Sequence, residues 1–208
     1  MISRRLSLRP KQLVKRGYNK IGTEYTASRR VDSEDIRELR QLVDRLAKGA
    51  RVLDAGCGSG YPVTRLFANA FQVIGVDFAE KQIRSAKEKV PDAKLVCADI
   101  TNLPFRENTF DAVCSYYAII HIPRRDHRKL LVDFGRILRP AGLMLVCMGA
   151  GDISEDVSDY HGTQMFWSHY DKETNLAMIQ EIGFDILWSQ IIVENQASAH
   201  LFVLAQKR

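Results

Sequence analysis

Val52-Leu53-Asp54-Ala55-Gly56-Cys57-Gly58-Ser59-Gly60 runs from an apolar stretch through a carboxylate into three alternating glycines. Arg51 to Ala55 reads as a short buried strand, and Pro62 followed by Val63, Leu66 and Phe67 at helical spacing reads as a helix over 62–69. Glycines between the two let the backbone turn through conformations barred to other residues, and leave bare main chain for a ligand to lie against. A loop joining a strand to a following helix belongs at the carboxyl edge of an open α/β sheet, where such folds bind ligands.

The spacing decides which ligand. A dinucleotide loop, G-x-G-x-x-G, would need its third glycine at Tyr61 or Val63, and a phosphate loop would need a lysine that the stretch lacks. Asp54 also argues against phosphate, because a carboxylate repels the anion that a helix terminus attracts. It suits a cation. These residues resemble motif I of the class I S-adenosylmethionine-dependent methyltransferases, an acidic residue followed by G-x-G-x-G, and the resemblance extends from about Tyr18 to the end of the chain.

The resemblance implies an α/β, Rossmann-like, doubly wound fold: a mostly parallel seven-stranded sheet with an antiparallel C-terminal edge hairpin and helices on both faces. It implies S-adenosyl-L-methionine as cofactor, with S-adenosyl-L-homocysteine as product. Strands over 71–76, 95–100 and 110–115 follow the first, and Arg139-Pro140-Ala141-Gly142 resembles the turn entering a fifth, Leu143 to Met148. Asp77 stands where the family bonds the ribose hydroxyls, Phe78 is an apolar face for the adenine, and Asp99 stands where the family meets the adenine amino group. Gly56, Cys57, Gly58, Gly60, Ile100 and Ser115 complete the implied cofactor wall. Tyr18-Asn19-Lys20-Ile21-Gly22-Thr23-Glu24-Tyr25 resembles a Y-D-x-I-A-x-x-Y lead-in that forms a lid, bringing Tyr18 and Tyr25 to the cofactor. Each residue also has a plainer role: Asp77 and Asp99 as caps of the following helices, Phe78 as core. Three acidic residues at successive strand ends favour a shared ligand.

With 208 residues and 46% apolar composition the chain can bury one core without staples. No apolar run is long enough to cross a bilayer. Cys57, Cys97, Cys114 and Cys147 fall at predicted strand ends rather than at zinc or disulfide spacings, which suits a cytoplasmic protein. The histidines have no metal-ligand spacing, so no metal site is expected.

The net charge of +5 is uneven. Residues 1–20 carry Arg4, Arg5, Arg9, Lys11, Lys15, Arg16 and Lys20 with no acid, leaving 23 basic against 25 acidic side chains and a net −2 beyond them. Such an arm suits nucleic acid or an anionic surface, and resembles a transit peptide. Leu13, Val14, Gly17, Tyr18 and Ile21 also share one helical face, so a helix over about 10–21 packed on the domain as a lid is preferred. The division expected is an arm and lid over 1–32 and a methyltransferase domain over 33–208, with an insertion over 149–170.

A helix over 33–48 with the stripe Ile36, Leu39, Leu42, Val43 and Leu46 should cover the sheet. Further helices are expected over 79–89, 124–138 and 172–182, and strands over 184–193 and 200–205, joined through Glu194-Asn195-Gln196. The alternation demands right-handed crossovers.

His121, just past the fourth strand, has the titration range of a general base and stands where many small-molecule methyltransferases of this type have histidine; it also suits a cap or packing role. Tyr116 and Tyr117 suit pocket walls. The insertion packs Tyr160, His161, Gln164, Met165, Phe166, Trp167, His169 and Tyr170 into eleven positions, which fits a lid over an acceptor, with Trp167 and His169 as contacts, or a homodimer interface. The function expected is methyl transfer to a small-molecule acceptor by in-line displacement; the alternatives are methylation of RNA or protein with the basic arm, and cofactor binding without catalysis. The protein is expected to be a monomer or homodimer.

Overall fold

A computed structural model describes residues 9–195 and 198–208. β1 (Arg51–Ala55) pairs in parallel with β2 (Gln72–Asp77) on one side and β4 (Phe110–Ser115) on the other. β3 (Lys94–Cys97) lies beyond β2, and β5 (Leu138–Gly149) beyond β4. β9 (Ser198–Lys207) and β8 (Phe184–Asn195) add antiparallel strands, giving the order β3-β2-β1-β4-β5-β9-β8. The chain builds outward from β1 and then returns to place β4 beside it. Neighbouring loops therefore part above the carboxyl ends of β1 and β4, which is where a ligand cleft opens.

Two apolar layers explain the helix placement. On one face Leu53, Val76, Val113 and Met144 pack with Leu130, Leu131 and Phe134 of α6 (His127–Ile137) and Ile179 of α7 (Lys172–Glu181). On the other, Val52, Val73 and Leu145 pack with Ile36, Leu39 and Leu42 and with Val63 and Phe67 of α4 (Val63–Ala68). Truncating a fully buried ring such as Phe134 would cost about 3–5 kcal/mol. α5 (Glu80–Lys89) follows β2.

Four expectations are corrected. The helix over 33–48 is two short pieces, α2 (Glu34–Glu38) and α3 (Arg40–Val43). Ile36, Leu39 and Leu42 are buried at intervals of three, and bonds such as Leu39 N–H to the Ile36 carbonyl and Leu42 N–H to the Leu39 carbonyl tighten the turn to keep all three on the sheet. The third strand stops at Cys97, short of Asp99. The turn Arg139 to Gly142 lies inside β5 as a register shift, with Ala141 at φ +59°. The region 149–170 is a hairpin, β6 (Ile153–Tyr160) with β7 (Thr163–His169), rather than a loop. His161 and Gly162 both have positive φ, the geometry of a tight two-residue hairpin turn. Of the expected join Glu194-Asn195-Gln196, the first two residues lie inside β8 and residue 196 is outside the described residues.

α1 (Pro10–Ser28) extends the expected lid helix by two turns at its carboxyl end. Val14, Gly17 and Ile21 are buried, and Val14 and Ile21 cluster with Met165 and Phe166 of β7. A Cβ on Gly17 would lie 2.8 Å from Met165 Cε, so glycine there lets helix and hairpin meet closely.

Candidate active site

The loop after β1 is shaped by contacts on both sides. Gly56, at φ +87°, passes so near the loop after β4 that a Cβ would fall 2.3 Å from Ala118 Cβ. Gly58, at φ +53°, donates its N–H to Asp77 Oδ2 at 3.0 Å, and Asp77 Oδ1 accepts the Ala79 N–H at 2.8 Å. Asp54 is 1% exposed, with Thr64 donating its hydroxyl to Oδ2 at 2.6 Å.

Burial dominates the electrostatics of these two carboxyls. Desolvation pushes Asp54 up to about 7 against the Thr64 hydrogen bond, with the charge of Asp77 adding to the rise. Desolvation likewise pushes Asp77 up to about 6, against the backbone N–H groups that stabilise its ionised form. A cation placed beside them would reverse both shifts. Asp99 behaves differently: burial raises it, but hydrogen bonds from Lys11 and Thr101 outweigh that and hold it below the usual range. Its Oδ1 accepts the Thr101 N–H at 2.9 Å, as Asp77 accepts that of Ala79, so both aspartates hold local turns and also line the cleft.

A cleft opens above the carboxyl ends of β1 and β4. Of the residues expected from sequence, Tyr18, Tyr25, Asp54, Gly56, Cys57, Gly58, Asp77, Phe78, Asp99, Ile100, Tyr116, Tyr117 and His121 line it. Gly60 and Ser115 do not. Gly60 faces α5, where a Cβ would meet Val90 Cγ2 at 3.0 Å, and Ser115 donates its buried hydroxyl to the Ala55 carbonyl at 2.8 Å. Trp167 and His169 line a second, larger chamber on the hairpin side. Tyr18, Tyr25, Arg29, Tyr117 and His121 border both spaces and form the wall between them.

His121 is buried in that wall. Its Nδ1 lies 2.8 Å from the Phe166 carbonyl and its Nε2 lies 2.8 Å from the Tyr18 hydroxyl. Desolvation lowers it to about 4, against the Phe166 hydrogen bond and together with the nearby His200, so the ring is neutral at pH 7. Tyr117 is held at φ +53°, unusual for a residue with a side chain; its hydroxyl donates to Asp35 Oδ2 at 3.2 Å and Arg29 sits 4.6 Å from its ring centre. Tyr116 donates to the Asp35 carbonyl at 3.0 Å.

Several site residues had escaped the sequence reading. Arg29 puts a guanidinium between the two spaces, paired with Asp35. Lys11 donates to Asp99 Oδ2 at 2.6 Å, Gln82 donates to the Tyr18 carbonyl at 3.1 Å, and Thr26 donates to the Ser59 hydroxyl at 2.8 Å. Nothing in local sequence pattern marks Arg29 apart from Arg30. For Lys11, the carboxylate partner 88 residues away was the missing signal.

Residues that fit S-adenosylmethionine are thus present in one place: buried carboxylates for its cationic groups and ribose diol, bare glycine main chain, the apolar Phe78 and Ile100, and a guanidinium for its carboxylate. No group of His, Cys, Asp and Glu with metal-binding geometry occurs among the described residues. No helix among them is long and apolar enough to cross a membrane.

Comparison with known proteins agrees with this geometry. Residues 53–146 match a family model described as a methyltransferase domain. Demethylmenaquinone methyltransferase of Staphylococcus aureus is 30% identical over 148 residues, covering 66% of this chain and 60% of that protein. The chain thus aligns with about 60% of the length of the curated relatives it matches. Among solved structures, the 1,6-didemethyltoxoflavin-N1-methyltransferase of Burkholderia thailandensis, with bound 1,6-didemethyltoxoflavin and S-adenosylhomocysteine, superposes with a TM-score of 0.74 at 17% identity, over 96% of this chain and 91% of that one. Magnesium protoporphyrin IX methyltransferase of Synechocystis PCC 6803, with bound S-adenosylmethionine, gives 0.71 at 15% identity over 98% and 99%.

Proposed function

We propose that the chain is a class I S-adenosylmethionine-dependent methyltransferase and that it transfers a methyl group to an aromatic small molecule. The observation that carries this reading is the shared wall: the cleft with Asp54, Asp77 and Asp99 abuts a chamber lined by Tyr25, Tyr117, Tyr160 and Trp167. When bound, S-adenosylmethionine supplies an activated sulfonium methyl and leaves as S-adenosylhomocysteine. Asp77 receives the ribose hydroxyls, Asp54 offsets positive charge, Arg29 holds the carboxylate, and Phe78 and Ile100 flank the adenine. His121 serves as base or orienter at the wall, and Trp167 and Tyr160 confine the acceptor and exclude water.

The arm serves as lid in this reading. Lys11 and Lys15 pair with Asp99 and Glu80 of the same chain, which offsets two of the charges an RNA site would use, and Lys20 is directed to the Gly162 carbonyl. We place residues 1–32 with the lid, residues 33–208 as the catalytic domain, and the protein in the cytoplasm, a reading that its free cysteines support.

The test is release of S-adenosylhomocysteine from S-adenosylmethionine with a panel of hydroxylated and aminated aromatic compounds, against an RNA and a peptide pool. Turnover confined to aromatic compounds supports the proposal. Turnover confined to RNA or peptides contradicts it.

A further inference from the structure

Beyond Trp167 the acceptor chamber holds a second histidine, and its ring is fixed from two sides. A Cβ on Gly149, the last residue of β5, would fall 2.0 Å from the His169 ring, so the ring rests directly on bare main chain. Its Nδ1 is 2.6 Å from the Gly151 carbonyl, which has no proton to give, so Nδ1 carries one and donates it. In the neutral ring Nε2 is then a bare acceptor. His121 Nε2 is already bonded to the Tyr18 hydroxyl, whereas that of His169 is neither buried nor bonded among the described residues. The strand is pinned beside it: the buried Ser168 hydroxyl accepts the Arg124 N–H at 2.9 Å and donates to the Ser154 carbonyl.

The strand also sets how far this acceptor stands from the cofactor. Trp167 and His169 alternate on β7, so both side chains stand on one face, about 7 Å apart along the chain, and both line the chamber. The Trp167 ring lies 4.5 Å from that of His121, which is in the wall shared with the cofactor cleft. The order along the chamber is therefore wall, indole, imidazole. A flat molecule lying along the indole with one edge at the wall brings its opposite edge to His169.

Resting on the methyltransferase reading above, we propose that His169 Nε2 accepts a hydrogen bond from a second hydroxyl or amino group of the acceptor. The substrate class is then a flat aromatic with two polar groups on opposite edges, one presented at the wall for methylation and the other held by His169. A span of about 7 Å suits a fused two-ring skeleton. An analogue lacking the far donor leaves Nε2 unpaired in the closed complex, which is how a single acceptor atom discriminates between substrates. Gly149 is part of the same device, because any side chain there would push the imidazole out of place.

The test is a binding comparison and needs no turnover. Full-length protein saturated with S-adenosylhomocysteine is titrated calorimetrically with naphthalene-2,6-diol, its 2,3-isomer and 2-naphthol. The proposal expects the 2,6-isomer, whose hydroxyls lie on opposite edges, to bind about fivefold or more tightly than the other two. His169→Asn keeps a donor for the Gly151 carbonyl but has no atom at the place of Nε2, so its melting temperature should hold while the preference falls below about twofold. Equal affinity for the two isomers in the wild type, a result independent of how the variant folds, would overturn the proposal, as would a preference that survives in His169→Asn. Binding of none of the three by protein that does bind S-adenosylhomocysteine would overturn the aromatic-acceptor reading as well, so the two failures are told apart.

Discussion

Lys11 Nζ lies 2.6 Å from Asp99 Oδ2, joining the first turn of the lid helix to the loop after β3, at the adenine end of the proposed cofactor cleft. Both side chains are well exposed, so the pair itself contributes under about 1 kcal/mol. Packing does more to seat the lid. Gly17 meets Met165, and Val14 and Ile21 bury against the hairpin.

This arrangement predicts two different outcomes at one position. Gly17→Ala brings a methyl against the flexible end of Met165, which can move, and the gain in helix propensity offsets the adjustment; cofactor affinity should stay within about twofold. Gly17→Leu needs room that backbone and hairpin lack, and should unseat the lid. Limited proteolysis should then cut within residues 10–28 faster, and calorimetry should show cofactor affinity reduced about tenfold or more. Equal affinity in both variants would separate the lid from the cofactor site.

Asp54 carries a prediction with a definite sign. Its folded value of about 7 stands above the ordinary carboxylate value near 4, so the folded state holds the extra proton between them. Stability from this group therefore falls as pH rises from about 4 to 7, and the full cost is present above 7. Asp54→Asn keeps an acceptor for the Thr64 hydroxyl and should stabilise the ligand-free protein at pH 8 by on the order of 1–4 kcal/mol, read as a higher melting temperature. The same variant should lose cofactor binding. A fall in stability at pH 8 would show that burial of the charge is not the dominant effect.

The same linkage governs binding. A cationic ligand favours ionised Asp54 and Asp77, so wild-type affinity should be steady above pH 7 and weaken as pH falls through about 7 and 6. Calorimetric affinities at pH 8, 7 and 5.5 check this. Affinity that rises on acidification would contradict it.

The two chambers should fail differently. Trp167 lies 4.5 Å from His121, ring centre to ring centre, on the acceptor side. With an acceptor from the aromatic panel, Trp167→Ala should raise KM about tenfold while cofactor affinity holds. His121→Gln should lower kcat by roughly 10²–10⁴-fold, also with cofactor affinity largely retained. Steady-state kinetics beside cofactor titrations distinguish the two.

Strands and glycine loop were legible because they depend on local signals. Val52 to Ala55 is buried and mostly apolar, and the alternating glycines answer to a positive φ and, at Gly56 and Gly60, to a close approach that a side chain would block. Asp54, Asp77 and Asp99 were legible through their place at or just past strand ends. The hairpin of β6 and β7 carries a weak strand signal because Ile153 to Tyr160 is mostly polar and exposed, although the two-residue His161-Gly162 turn is a hairpin signal. The break in the second helical segment follows from docking on the sheet, which no helical stripe records. Gly60 belongs to the motif and Ser115 ends the fourth strand, but both face away from the cleft, a matter of side-chain direction that spacing does not contain. The Tyr18–His121 contact joins residues 103 apart and had no sequence signal beyond each residue's own type.

The central claim is that the cleft above β1 and β4 accepts S-adenosylmethionine and not a dinucleotide. Isothermal titration of the full-length protein at pH 8 with S-adenosylmethionine, S-adenosylhomocysteine and NAD measures it directly. The account predicts one saturable site for both sulfur compounds and none for NAD, with that site lost in Asp54→Asn. NAD binding more tightly than either, or S-adenosylmethionine binding unaltered in Asp54→Asn, would contradict it.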